Sequence, residues 1–311
     1  MYDLVIIGGG PAGVAAGVYA SRKQLKTLFV TESFGGQSIV SDGIENWIGE
    51  IKIPGIELAK KLENHLEAYS GDVVDIKKGY RVNKVSKDEN DNFSVEISRG
   101  DDKEEYKAKS ILVATGSDRR KLTAEGADEF EHKGLTYCAS CDGPLFKDKD
   151  VVVVGGGNSA FESAAQLLAY CKSVTLIHRR DEFRADPVTV ESLQKDSKFK
   201  IITNAEITEI TGEVMVGGLK YKDKKSDKEI TLNVSGIFVE IGAVPAVSFV
   251  SELVDLADNG SIKIDPWNQK TNVDGVWAAG DCTNVLYHQN NIAMGDAVRA
   301  LEDIYLWIKS N

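Results

Sequence analysis

The chain has 311 residues, a formal net charge of -11 and 42% hydrophobic residues. This length and apolar content predict two domains, each with its own core, and the negative charge argues against nucleic acid or an anionic membrane surface as a partner. No apolar stretch is long enough to span a bilayer, and the first strand begins almost at Met1. We therefore expect no membrane anchor, no secretory signal and a cytoplasmic location.

The first predicted element is a buried parallel strand at residues 2–7, because its apolar residues form an almost unbroken run. Gly8, Gly10 and Gly13 follow it and lead into an alanine-rich helix predicted at 12–22. Glycines at this spacing allow a tight turn, close approach of a pyrophosphate to the backbone, and close packing of helix on strand. The pattern predicts a dinucleotide site.

The strand predicted at 27–31 ends at Glu32, where a carboxylate can accept hydrogen bonds from an adenosine ribose. This acid strengthens the prediction for the first site. The elements predicted after it are a helix at 56–69, a polar hairpin at 81–107 and a strand at 110–114.

A second fingerprint, Gly155 to Ala160, lies between a predicted strand at 150–154 and a predicted helix at 159–170. The next strand, at 173–177, is followed by the basic run His178 to Arg184 instead of a single acid. Guanidinium groups there suit a 2′-phosphate, because they are permanently charged and present forked donors. The second site is therefore predicted to bind NADPH, although the two acids within the basic run leave some use of NADH open.

Cys138 and Cys141 form a C-x-x-C pair ahead of the second fingerprint, and the chain has only four cysteines. Such a pair in a reducing compartment is typical of catalysis or metal binding, but zinc would need further ligands at a spacing that this chain lacks. We expect no metal site, and we expect Cys171 to be a packed thiol. Two dinucleotide sites with a dithiol between them predict electron transfer from a nicotinamide through a flavin to a disulfide.

The chain then returns to its first domain. Polar strands are predicted around 201–234, a short strand at 275–281 that ends in an acid, and a final helix at 293–308. The predicted fold class is α/β, with two Rossmann-like dinucleotide-binding domains, the second inserted in the first. The predicted bounds are 1–116 with 245–311 for the first domain, and 117–244 for the second, which contains the C-x-x-C.

These motifs resemble those of the low-molecular-weight thioredoxin reductases, which are class II pyridine nucleotide-disulfide oxidoreductases. Some are similar to the reductase portion of the alkyl hydroperoxide reductase flavoprotein component. The matching segments are Gly8–Gly13, Gly35–Gln37, Glu45–Gly49, Ala114–Gly116, Cys138–Gly143, Gly155–Ala160, His178–Arg184 and Gly280-Asp281. The resemblance implies FAD in the first domain, NADPH in the second, a homodimer, and thioredoxin or another small dithiol protein as the acceptor.

The resemblance also implies the site residues. Those near FAD are Gly8, Gly10, Pro11, Ala12, Gly13, Glu32, Gly36, Gln37, Asn46, Ala114, Thr115, Gly116, Gly280, Asp281, Gln289 and Ala293. Those near NADPH are Gly155, Gly157, Asn158, Ser159, Ala160, His178, Arg179, Arg180 and Arg184. In the implied chemistry Cys141 faces the flavin and takes its electrons, Cys138 attacks the disulfide of the partner, and Asp142 protonates a leaving thiolate. Asp281 is expected to hold the ribityl hydroxyls.

The family pattern further implies that the second domain rotates between two orientations, with a hinge near residues 116 and 244. Two residues depart from that pattern. Asn158 stands where thioredoxin reductases usually have aspartate, and His288 stands where an arginine or lysine precedes Gln289. Besides the NADPH-dependent reductase, two functions remain open: an FAD-dependent dithiol oxidase or redoxin reductase fed by another donor, and a redox-sensing nucleotide-binding protein.

Overall fold

The computed structural model describes residues 1–41, 43–89 and 91–310, without the side chains of residues 40, 140 and 141. The chain divides into two compact units. The first unit is Met1–Asp118 with Val244–Asn311, and the second is Arg119–Ala243.

The first unit contains a mixed seven-stranded sheet whose central strand, Tyr2–Ile7, is buried over its last four residues. Its elements before the first crossing are β1 (Tyr2–Ile7), α1 (Pro11–Arg22), β2 (Thr27–Thr31), a 3-10 helix (Gly36–Val40), α2 (Gly55–Ser70), β3 (Val74–Lys78), β4 (Arg81–Lys87), β5 (Phe93–Arg99) and β6 (Asp102–Val113). Strand β1 lies between β2 and β6 and is parallel to both. Leu4, Val5 and Ile6 have no exposed surface, as their apolar run predicts.

Strand β6 serves two pairings. From Asp102 to Ala108 it pairs with β5 in an antiparallel hairpin, and its last residues pair in parallel with β1. The sequence pattern predicts a polar hairpin and a separate strand in this segment, whereas the structure joins the end of the hairpin and the strand in one continuous strand. The division follows a real change in pattern, because the first part of β6 alternates between exposed and covered residues and Ser110–Val113 are all buried.

The second unit contains a parallel sheet of its own. After the crossing strand β7 (Ser117–Arg119), its elements are β8 (Leu135–Thr136), α3 (Ala139–Asp142), a 3-10 helix (Gly143–Phe146), β9 (Asp150–Gly155), α4 (Asn158–Leu168), β10 (Ser173–Ile177), α5 (Pro187–Leu193), β11 (Phe199–Ile202), β12 (Ala205–Gly212), β13 (Val216–Asp223), β14 (Lys228–Asn233) and β15 (Gly236–Glu240). The parallel sheet has the order β11-β10-β9-β15-β8, and β12, β13 and β14 form an antiparallel sheet.

The chain returns through β16 (Ala243–Pro245), which pairs with β7, so the two crossings form a two-stranded sheet. A 3-10 helix (Ser248–Val250), β17 (Val276–Ala278) and α6 (Asn290–Ser310) complete the first unit. Strand β17 extends the parallel sheet beside β6, and α6 packs against α1. Helix α6 begins three residues before its predicted start, because the Ala293 N–H already donates to the Gln289 carbonyl at 2.9 Å.

These two sheets, each with a β–α–β unit at its centre, confirm the predicted fold class of α/β with two Rossmann-like units, the second inserted in the first. Across the described ranges, no helix combines the length and the apolar character needed to cross a membrane.

Candidate dinucleotide and redox sites

A cavity of about 940 Å³ opens in the first unit, where the carboxyl ends of its parallel strands meet. That volume lies within the range of cofactor pockets, and this edge of a doubly wound sheet is where such ligands bind. The predicted FAD residues that line it are Gly8, Gly10, Pro11, Ala12, Glu32, Gly36, Gln37, Ala114, Thr115, Gly116, Gly280, Asp281 and Ala293.

The glycines of the first fingerprint form a cradle that side chains would fill. Gly8 has a φ of +119°, and a Cβ there would lie 2.3 Å from the Ala114 carbonyl oxygen. A Cβ on Gly13 would lie 1.8 Å from the Gly8 oxygen, so Gly13 packs beneath the turn and does not line the cavity. The residue at the α1 N-cap, Gly10, makes no side-chain capping bond. Pro11 has no N–H and the Val14 N–H donates to the Gly10 carbonyl, so the Ala12 and Gly13 N–H groups are those that can bond an anion, and the cradle fits the pyrophosphate of FAD.

Glu32 and Asp281 are two of the acids that line this cavity. Glu32 directly follows β2, and its carboxylate is 3.7 Å from the Arg81 Nε. Asp281 follows β17, and burial raises the pKa of its carboxyl, while the neighbouring His288 lowers it. The His288 Nδ1 lies 3.8 Å from the Asp281 Oδ1. The histidine that departs from the family pattern is thus beside an acid of the cavity.

The side-chain amides of Asn46, Gln289 and Gln37, which are predicted FAD residues, form hydrogen bonds within the first unit. The Asn46 side chain donates to the Gln289 Oε1 at 3.0 Å, and neither residue lines the cavity. Asn291 in turn donates to the Asn46 carbonyl at 2.8 Å. Gln37 donates to the Ser117 carbonyl and hydroxyl, the latter at 3.2 Å. These bonds tie the segment after β2 to the start of α6 and to the first crossing.

Sequence reasoning missed two stretches that line the same cavity, Tyr80–Asn83 at the start of β4 and Val244–Phe249 after the second crossing. Neither stretch contains a recognisable motif. Their only signal is that they follow segments whose ends reach the carboxyl edge of the sheet.

The second fingerprint is built in the same way within the second unit. A Cβ on Gly155 would lie 2.3 Å from the Glu240 oxygen, and one on Gly156 would meet the His178 ring at 2.4 Å. A Cβ on Gly157 would meet nothing within 4 Å, and this residue caps α4 without a side-chain bond. The α4 N-terminus is therefore open to a phosphate group.

The basic run is fastened to this fingerprint by its backbone. The Arg184 N–H donates to the Gly156 carbonyl, and the Asp186 N–H donates to the Asn158 Oδ1, each at 2.8 Å. Arg179, Arg180 and Arg184 are exposed, and none of them forms an ion pair within the described part of the chain. The loop thus carries three exposed arginines, and its backbone is bonded to the turn and the first residue of α4.

His178 packs between the loop and the turn of the second fingerprint. Its ring is half-buried, stands over Gly156, and lies 5.5 Å from the Phe183 ring. Burial is the main cause that lowers the pKa of His178, and the nearby arginines lower it further, against the opposing hydrogen bond to the Glu182 carbonyl. His178 is therefore neutral at pH 7 and adds no charge to the loop.

The redox pair follows β8, the edge strand of the second unit's parallel sheet. Cys138 is disulfide-bonded and stands just before α3, whereas the side chain of Cys141 lies outside the described residues. The Asp142 N–H donates to the Cys138 carbonyl at 3.2 Å. The Thr136 hydroxyl donates to the Asp142 Oδ2 and accepts the Cys138 N–H at 3.3 Å. Strand β8 thus places the acid beside the cysteine.

The other two cysteines, Cys171 and Cys282, are free and buried. Burial raises the pKa of each thiol to about 11. A thiol that stays protonated at neutral pH is a poor nucleophile, so neither belongs to the redox pair.

Comparison with known proteins agrees with this architecture. The family model "Pyridine nucleotide-disulphide oxidoreductase" matches residues 2–297. The thioredoxin reductase of Lactococcus lactis superposes with a TM-score of 0.89 at 34% identity, over 100% of both chains.

Two curated relatives are longer than this chain. A component of the alkyl hydroperoxide reductase of Escherichia coli is 40% identical over 96% of this chain and 57% of its own length. A Bacillus subtilis protein named NADH dehydrogenase is 37% identical over 96% of this chain and 57% of its own length. The chain therefore spans less than two thirds of these relatives. From the family match and these likenesses, the chain belongs to the pyridine nucleotide-disulphide oxidoreductase family, whose members of this kind are flavoproteins that use FAD and NAD(P)H.

Proposed function

We propose that this protein reduces the disulfide of thioredoxin or a similar small redoxin with NADPH, through FAD and the Cys138/Cys141 dithiol. The observation that carries the proposal is the disulfide of Cys138 in the unit that also holds the second nucleotide fingerprint. The thioredoxin reductase from Lactococcus lactis matches over its whole length, which supports thioredoxin as the acceptor. We propose 1–116 with 245–311 as the FAD domain and 117–244 as the NADPH domain.

The residues present fit FAD in the first unit. The glycine cradle and the α1 N-terminus would hold its pyrophosphate, Glu32 its adenosine ribose, and Asp281 its ribityl hydroxyls. When bound, FAD supplies the transfer of a pair of electrons between a nicotinamide and a disulfide.

At the dithiol, Cys138 as thiolate attacks one sulfur of the substrate disulfide, and Asp142 donates a proton to the sulfur that leaves. Cys141 then resolves the mixed disulfide, so both cysteines return to the oxidised state. The backbone bond from Asp142 to the Cys138 carbonyl keeps acid and nucleophile on one turn, which supports these roles.

The arginine loop favours NADPH over the alternatives. A dithiol oxidase that uses oxygen needs no nicotinamide site, yet a loop with three exposed arginines is bonded through its backbone to the turn before α4. A redox sensor would need no electron supply either. The relative named NADH dehydrogenase makes the choice of nucleotide the point to test first.

The test is an anaerobic titration of the purified flavoprotein with NADPH and, separately, with NADH, followed by oxidised thioredoxin. Bleaching of the flavin absorbance by NADPH at far lower concentration than by NADH, and recovery of the colour with thioredoxin, is the expected result. Bleaching without recovery would replace thioredoxin with another redoxin. An absence of bleaching by either nucleotide would overturn the proposal and favour a dithiol oxidase or another electron donor.

Asp281 gives a prediction about pH. Because burial raises the pKa of this carboxyl, it takes up a proton at a higher pH than an ordinary aspartate. Ribityl hydroxyls donate to the charged form, so the affinity of the apoprotein for FAD should fall as the pH is lowered through that raised pKa and stay constant above it. Asp281→Asn should weaken binding about 10-fold at neutral pH and remove the fall. Quenching of flavin fluorescence on binding, followed from about pH 5 to about pH 8, measures the FAD affinity of the wild type and of the variant at each pH.

Two variants sharpen this test. His288 lowers the pKa of Asp281, so His288→Gln should move the fall in affinity to higher pH. The exposed Asp258 does not line the cavity, and Asp258→Asn should bind FAD like the wild type at every pH. A fall that survives unchanged in Asp281→Asn would show that another group titrates.

A further inference from the structure

The hydroxyl of Thr136 joins the acid and the nucleophile of the second unit. Thr136 lies on β8, is 5% exposed, and pairs in register with Phe238 of β15. Its backbone is therefore fixed by the parallel sheet. Its hydroxyl accepts the Cys138 N–H at 3.3 Å and donates to the Asp142 Oδ2.

The same hydroxyl closes a small ring of hydrogen bonds. The Asp142 N–H donates to the Cys138 carbonyl at 3.2 Å, so the Cys138 peptide groups are tied to Asp142 directly on one side and through Thr136 on the other. A hydroxyl has one proton to give, and here the Asp142 Oδ2 receives it; in the acid form of this carboxyl the transferable proton is therefore on Oδ1. The Asp142 side chain is thus bonded to a residue that the parallel sheet holds in register.

We propose that Thr136 is a positioning residue for proton transfer at the dithiol: its hydroxyl holds the Asp142 carboxyl in register with Cys138. The inference rests on the proposed function and adds a residue to which sequence reasoning gave no role. In the step it serves, the Cys138 sulfur bonds to one substrate sulfur and the substrate S–S bond breaks. The second sulfur leaves with the electron pair and takes the proton of Asp142, which solvent later restores.

The consequence depends on the leaving thiolate. A strongly basic alkyl thiolate needs the proton of the acid as it departs, whereas the weakly basic aromatic thiolate of DTNB leaves without one. Misplacing a general acid should therefore slow the first reaction and spare the second. A change in packing or folding would slow both.

The experiment compares Thr136→Val, which keeps the shape and removes the hydroxyl, with Thr136→Ser, which keeps the hydroxyl and removes a methyl group. Pre-reduced holoenzyme is mixed in a stopped-flow instrument with hydroxyethyl disulfide or with DTNB. We expect Thr136→Val to reduce hydroxyethyl disulfide about 10- to 100-fold more slowly and DTNB at the wild-type rate. Thr136→Ser should match the wild type with both, and flavin reduction by NADPH should be the same in all three.

Wild-type rates with both disulfides in Thr136→Val would overturn the proposal. An equal loss of rate with both disulfides in Thr136→Ser would overturn it as well, because a hydroxyl at this position would then not be enough to preserve the reaction. This outcome can be measured even if the valine variant fails to fold. Failure of the proposed function looks different: the wild type itself would reduce neither disulfide, or would reduce them just as fast with Cys138→Ser in place.

Discussion

Replacing Cys138 with serine is expected to abolish disulfide reduction and to leave flavin reduction intact. A serine hydroxyl neither attacks a disulfide nor forms one, so turnover with thioredoxin should fall about a thousand-fold or more. Hydride transfer from the nicotinamide does not use this residue, so anaerobic NADPH should still bleach the flavin at the wild-type rate. Steady-state turnover and single-turnover bleaching, measured on the same preparation, give the two values.

Cys171→Ser is the matched control for this variant. Cys171 lies in the same unit, is free and buried, and has a thiol whose pKa burial raises to about 11. Its replacement should leave turnover close to the wild-type value, with at most a small loss of thermal stability. Retained turnover in Cys138→Ser would mean that electrons leave the flavin by a route other than this dithiol.

Much of the fold could be predicted because its central strands are covered on both faces. Val151–Val154 of β9 form a run with no polar interruption, and glycines follow at once, which is the signature of a parallel strand entering a dinucleotide turn. The short β8 gave no such signal, since two residues have no period and its place at the edge of the sheet comes from pairing with β15.

The candidate sites were predictable where a motif places chemistry at a turn. Gly8 and Gly10 of the first fingerprint line one cavity together with Asp281. Tyr80–Asn83 could not be found in this way, because they contain no motif and reach the cavity only through the turn that joins β3 to β4. The role of Thr136 could not be predicted for a related reason. A threonine two residues before a cysteine is no motif, and its contact with Asp142 exists only because the chain bends back after β8.

The two nucleotide sites share one construction and differ in the group that follows the second strand of each unit. In the first unit that group is Glu32, and in the second it is the arginine loop. Both turns require glycine because a Cβ would collide with a backbone oxygen, at Gly8 and at Gly155. We therefore propose that the turn supplies the pyrophosphate site in both units and that the following residues select the adenosine.

Removing the arginine charges should convert the second site to one that no longer distinguishes the two nucleotides. In Arg179→Gln/Arg180→Gln, two exposed guanidinium groups that can bond a 2′-phosphate are lost. We expect kcat/KM for NADPH to fall about 100-fold, mostly through KM, and that for NADH to stay within about 2-fold. The wild-type KM for NADPH should also rise with salt more steeply than that of the variant, because exposed charges are screened.

A matched control removes the same charge elsewhere in the second unit. Lys225 and Lys228 are exposed and lie at the turn between β13 and β14, so Lys225→Gln/Lys228→Gln should keep the wild-type preference. Equal losses with NADPH and NADH in the arginine variant would contradict the assignment, because a 2′-phosphate contact exists with only one of them. Such a result would mean that the two arginines do not select the nucleotide. They would then contact the pyrophosphate, or their loss would disturb the hydrogen bonds from the loop to Gly156 and Asn158.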